Sequence, residues 1–174
     1  MKKRLLWILL ALSALIGGIA VQRFTHTPTL AQAVNPADLD IAFPDLDGKP
    51  HQLTEWQGKV VIVNFWATWC PPCLEEMPEF QQLQTEFGPK GLQFIGILTD
   101  DEADAARDIL KSKPLNYPVL DGSVGGRLWS EKLGDRAGVL PVSAVFDPQG
   151  KLVHTELGKF TREEIIEKIK PWIQ

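Results

Sequence analysis

Cys70 and Cys73 are the only two cysteines in a chain of 174 residues, and just two residues separate them. They stand between a β-branched apolar run, Val60-Val61-Ile62-Val63, and a stretch with helical spacing. That order reads as a strand feeding a helix with Cys70 at its mouth. Side chains three apart share one helix face, so the two sulfurs are within reach of a disulfide. A helix N-terminus offers unpaired N–H groups and a partial positive charge, which favour a thiolate at Cys70 and make it an exposed, reactive thiol. Pro71 and Pro72 suit a first turn, whose N–H groups have no helical partner, but they also remove two donors that would steady that thiolate. The chemistry of the pattern is thiol–disulfide exchange, with Cys70 as nucleophile and Cys73 as resolving thiol. The bland alternative is an inert stapling disulfide or two buried thiols.

Composition narrows the field. Two cysteines are too few for a disulfide scaffold or a four-cysteine zinc site, so neither a metal nor another cofactor is expected. With 18 basic and 22 acidic residues the formal net charge is -4, which argues against nucleic acid as a partner. Lys2, Lys3 and Arg4 precede an apolar run from Leu5 to Val21, closed by Gln22 and Arg23. We read residues 1–23 as a signal anchor, a single transmembrane helix with its basic end cytoplasmic. Cleavage after Ala20 or Ala33 is the alternative. Residues 24–38 read as a tether and 39–174 as one domain, large enough to bury its own core. The expected location is the inner membrane, with the domain in the periplasm or an equivalent exterior space.

Within that domain the elements alternate. Ile41 to Leu46 and Lys49 to Leu53 flank Asp47-Gly48 as a hairpin. Lys59 to Ala67 is apolar on both faces, as a central strand must be. A helix runs from Cys70 to Phe87 with Pro78 bending it. Leu92 to Leu98 is a second buried strand, and Thr99 with Glu102 forms a capping-box pattern before a helix that carries Ala106, Ile109 and Leu110 on one face. Tyr117 to Leu120 reads as a short strand and Val124 to Leu133 as a further helix. Pro141 to Phe146 and Lys151 to Leu157 make a hairpin around Asp147-Pro148-Gln149-Gly150. Thr161 and Glu164 cap a last helix striped by Ile165, Ile166, Ile169 and Trp172. The order predicts an α/β fold with a mixed central sheet covered by helices on both faces.

Trp66-Ala67-Thr68-Trp69-Cys70-Pro71-Pro72-Cys73, followed by Glu76 and Pro78, resembles the active site of thioredoxin-fold proteins, in particular the TlpA/ResA-like membrane-anchored thiol-disulfide oxidoreductases. The similarity runs from about Leu39 to the C-terminus, and the leading hairpin and the strand-helix pair over 117–133 match additions seen in that branch. The resemblance implies several roles. Glu76 falls where the branch has an acidic residue, able to take the proton that leaves Cys73; a solvated helix-face glutamate is the alternative. Asn64 stands where many thioredoxins carry a buried proton-accepting aspartate, a role an amide cannot fill. Pro141 matches the family's cis-proline, which would expose the Leu140 backbone for pairing with a substrate chain beside Cys70. Trp69 would frame the partner surface, while Trp66 fits surface and core equally well. His26, His51 and His154 read as surface residues.

The expected function is reduction of disulfides in exported proteins, apocytochrome c among them, with electrons returned by a transmembrane thiol donor. The same pair would also serve a thiol oxidase or isomerase. A peroxiredoxin fits poorly, because Ala67 stands where a Thr or Ser is usual. A copper-delivery or non-catalytic binding module would need wider cysteine spacing and an added histidine.

Overall fold

A computed structural model describes residues 41–173. The anchor expected over 1–23, the tether over 24–38 and His26 lie outside the described residues. Among the described residues no helix is long and apolar enough to cross a membrane. The first elements are β1 (Ala42–Pro44) and β2 (Pro50–Gln52), paired antiparallel. The Asp45 carboxylate closes their turn by accepting from the N–H groups of Asp47 and Lys49, both at 2.9 Å, and Gly48 supplies the positive φ of 88° that the turn requires. The second strand is shorter than its apolar pattern: Leu53–Trp56 is a 3-10 turn capped by Gln52 and Glu55, and Leu53 is buried from within it.

The main sheet comprises β3 (Val60–Trp66), β4 (Leu92–Leu98), β5 (Val119–Asp121), β6 (Val142–Phe146) and β7 (Leu152–Leu157), in the order β5-β4-β3-β6-β7. Strands β3, β4 and β5 run parallel, whereas β6 pairs antiparallel with both β3 and β7. Every residue of β3 and β4 is buried, and apart from Asn64 and Gln93 both strands are apolar in both phases, the two-sided pattern of central strands.

Period-two alternation divides the core. Val61, Val63 and Phe65 point to one face, where Trp129, Leu133, Phe43 and Leu53 cover them. Val60 and Ile62 point to the other, against Phe80, Leu83, Ile165 and Ile169. Helix α1 (Pro71–Phe87) and helix α4 (Arg162–Ile169) therefore lie on the second face, and helix α3 (Gly126–Lys132) lies on the first. Helix α2 (Ala103–Ser112) sends Ala106 into a third cluster, beneath the C-terminal ends of β3 and β4, with Trp66, Leu98, Cys70 and Cys73.

Three local expectations change. Thr99 and Glu102 form no capping box: Glu102 is itself the N-cap of α2, its N–H is taken by Asp101 Oδ1 at 2.8 Å, and Thr99 is buried at the end of β4. The expected strand over 117–120 begins only at Val119, with Tyr117 buried ahead of it. Helix α3 is shorter than 124–133, starting after Gly125 at φ 90° and leaving Val124 exposed. The Thr161–Glu164 capping box forms as read, with Thr161 Oγ1 accepting from Glu164 N and the Glu164 carboxylate accepting from Thr161 N.

The turn from β5 into α3 is tight. Gly122 donates its N–H to Leu98 O at 2.8 Å, and a Cβ there would fall 2.6 Å from that same oxygen and 2.5 Å from Ile97 Cγ2. Gly122→Ala is expected to destabilise the protein by about 1–3 kcal/mol through overpacking. Gly48→Ala, which meets nothing within 4 Å but keeps an unfavourable φ, should cost about 1 kcal/mol. Urea unfolding of both variants checks this, and equal losses would count against the close approach at Gly122.

Candidate active site

The C-terminal end of β3 delivers the chain to the mouth of α1. Cys70 is the N-cap residue, and Pro71 and Pro72 occupy the first two helical positions, where no N–H partner is lost. Cys70 and Cys73 are joined in a disulfide with Cα atoms 5.4 Å apart. Cys70 is 3% exposed and Cys73 0%, so the expectation of an openly exposed Cys70 needs correction. The pair is packed on Trp66, Ala67, Met77, Leu98 and Val119, and Leu140 leans on the same cluster. Reactivity at Cys70 is thus confined to a narrow opening.

Beneath it, α1 buries a stripe made of Cys73, Glu76, Met77, Phe80 and Leu83. Glu76 lies one turn below Cys73 and is 1% exposed, which removes the reading of a solvated helix-face residue. Asn64 Nδ2 of β3 donates to Glu76 Oε1 at 2.8 Å, and the N–H of Phe160 donates to Oε2 at 3.2 Å. The same Asn64 amide donates to Ser143 Oγ of β6 at 3.1 Å. Burial pushes the Glu76 carboxyl up from 4.5 to about 7, with a smaller push from Glu79. The bonds from Phe160 and Asn64 and the charge of Lys159 act in the opposite sense.

The Leu140–Pro141 peptide bond is cis. Pro141 is buried and opens the loop into β6; Leu140 is half-buried. Trp69 is 60% exposed, its Nε1 donating to the backbone carbonyl of Asp100 at 3.0 Å. Trp66 is wholly buried and belongs to the core. Neither described histidine is a free surface residue: His51 bonds Glu55 and Asp45 at 2.9 and 3.3 Å, and His154 bonds Glu156 at 2.9 Å.

Several contributors escaped sequence reading: Ser143, the Phe160 N–H, and the Asp100-Asp101 pair. Asp101 Oδ2 accepts from Thr68 N at 2.5 Å and so fixes the turn leading to Cys70. One available signal was position, since two aspartates directly after a parallel strand lie where open α/β sheets build their sites.

A disulfide-bonded cysteine pair at a helix mouth, a cis-proline loop and a buried carboxyl at one end of a mixed sheet define a thioredoxin-fold thiol-disulfide oxidoreductase. The redoxin family model matches residues 28–169. The chain belongs to that family, in its ResA/TlpA-like branch. The thiol-disulfide oxidoreductase ResA of Bacillus anthracis is 33% identical over 178 aligned positions, covering 98% of this chain and 99% of the relative. Among solved structures, a thiol:disulfide interchange protein of Chlorobium tepidum TLS is 28% identical with a TM-score of 0.68, over 77% of this chain and 93% of its own. The exposed lipoprotein thioredoxin Etrx1 of Streptococcus pneumoniae is 30% identical with a TM-score of 0.64, over 76% and 98%. The activity is protein-disulfide reduction: the reduced pair gives two electrons to a target disulfide and becomes the Cys70–Cys73 disulfide.

The raised Glu76 pKa sets a stability profile. Between about pH 4.5 and 7 the unfolded chain releases this proton while the folded chain keeps it, so stability falls as pH rises through that window and is level above it. The full effect is about 3 kcal/mol, at about 1.4 kcal/mol for each pH unit. The stability of the wild type relative to Glu76→Gln should drop by about that amount between pH 4.5 and 8 in urea titrations. A difference independent of pH would show that Glu76 titrates as an ordinary carboxylate.

Proposed function

We propose that this protein is a membrane-tethered reductase working outside the cytoplasm on disulfides of exported polypeptides, apocytochrome c haem-site cysteines among them. The observation that carries the exchange chemistry is a fully buried Cys73 with the buried Glu76 carboxyl one turn beneath it, its pKa pushed up to about 7 by burial. Cys70 thiolate attacks one sulfur of the target disulfide, giving a mixed disulfide and one target thiolate. Cys73 then loses its proton to the Glu76 carboxylate, and its thiolate attacks Cys70 sulfur, releasing the second target thiolate. A base with a pKa near 7 is matched to that transfer at neutral pH. Asn64 and the Phe160 N–H hold the carboxylate in place.

Trp69 and the Leu140 backbone beside the cis bond seat the substrate chain. The basic leader and apolar run over 1–23 support a retained anchor, and the relative named an exposed lipoprotein thioredoxin supports an exterior location. Because that location lies outside the cytoplasm and its reductants, re-reduction of the pair calls for a donor that carries thiol electrons across the membrane.

Redox titration of the full chain in detergent, in thiol–disulfide buffers, tests the direction. A two-electron midpoint below about -200 mV is expected, and one near about -120 mV would make the protein an oxidant. Cys73→Ser should trap a mixed disulfide through Cys70. Glu76→Gln should slow release of the target by about a hundredfold at neutral pH; an unchanged rate would remove Glu76 as proton acceptor. A membrane-impermeant thiol reagent applied to intact cells should label reduced Cys70, and protection until lysis would place the domain inside.

A further inference from the structure

Two residues outside the dithiol helix tie both sides of the site together. Asp100 stands just past β4 with a φ of 53°, the positive region that aspartate and asparagine tolerate best among side-chain-bearing residues. That conformation turns its carbonyl toward Trp69, whose indole N–H it accepts at 3.0 Å, and its carboxylate toward α3, where Arg127 Nη1 donates to Oδ2 at 2.8 Å. The guanidinium also lies against the bare α-carbon of Gly138, where a Cβ would collide with it. Gly138, at a φ of 62°, begins the segment that ends in the cis bond before Pro141. A second tie runs in parallel, since buried Asp135 accepts from Val139 N at 3.1 Å and from Ser130 Oγ of α3 at 3.4 Å.

The ion pair is half-exposed on both partners, and such pairs add little to stability. Its placement serves geometry instead. It steadies the exposed ring of Trp69, the residue just before Cys70, and backs the loop bearing exposed Val139 and half-buried Leu140, which packs in the same cluster as Cys70. We infer that the Asp100–Arg127 pair is a positioning element, holding Trp69 and the Gly138–Pro141 loop as two preformed lips between which the disulfide-bearing polypeptide docks. Lips fixed before docking spare the ordering cost of binding, so the pair acts on substrate capture and leaves the sulfur chemistry alone. The inference rests on Cys70 being the sulfur that meets the substrate.

The test is single-turnover reduction by the pre-reduced full chain, with insulin as a substrate that spans both lips and oxidised glutathione as one that does not. Arg127→Gln and Asp100→Asn, the second keeping a residue suited to positive φ, should each raise the half-saturating insulin concentration by about threefold to fivefold, the scale an exposed ion pair supports. The limiting rate, the glutathione rate and the redox midpoint should stay within about twofold of wild type. Arg127→Lys should recover most of the loss, and about 0.5 M salt should bring the wild type to the level of Arg127→Gln without affecting that variant. Lys111→Gln, which breaks an unrelated surface pair with Asp108, is the control and should behave as wild type. Unchanged insulin saturation in both variants would overturn the inference, as would equal losses on both substrates. A wild type that reduces neither substrate would instead remove the exchange reading itself, and the inference with it.

Discussion

One buried carboxyl ties the dithiol helix to the rest of the molecule. Glu76 rides on α1, but its two oxygens are held by Asn64 from the central strand and by the Phe160 N–H from the segment entering α4. Through Asn64 the same network reaches Ser143 on β6. A charged group at this depth is costly, and what makes the position tolerable is a set of donors drawn from separate elements. Those donors lower the pKa while burial raises it, and burial wins. The result is an acid that changes protonation near neutral pH while remaining locked in one orientation.

Much of this was legible in the linear sequence, and the reasons it was legible are local. Two-residue spacing between cysteines, a proline pair at a first helical turn, apolar strands in both phases and the Thr161–Glu164 cap are all short-range patterns. What failed was also local in appearance: Thr99 and Glu102 have the right spacing for a capping box, yet Asp101 takes the N–H of Glu102 and reaches back to Thr68 across the site. A tertiary contact overrode a good local motif. The supports of Glu76 were invisible for a different reason, since Ser143 is 79 residues from Asn64 and Phe160 is 84 from Glu76 in the chain. Hydrogen bonds across such separations leave no periodic trace. The burial of Cys70 belongs to the same class, because it depends on Leu98, Val119 and Leu140, which converge only in the folded sheet.

The frame around the sulfurs is divided by chemistry. Below them lies a network of buried hydrogen bonds on the face of the sheet that carries α1 and α4. Beside them lies a half-exposed rim where an indole, two aspartates and an arginine meet. Proton handling needs the first environment, since a shifted acid survives only where water is excluded. Recognition of a polypeptide needs the second, where rigid side chains still face outward.

The difference in exposure between the two cysteines fixes the traffic through the protein. Cys73 has no exposed surface, whereas Cys70 keeps a small opening. Every sulfur arriving from outside, whether it belongs to an oxidised target or to an incoming reductant, has one atom to meet. The two visitors therefore exclude one another, and no complex holds both at once. The molecule works as a shuttle that must release one partner before greeting the other, carrying a single electron pair on each journey.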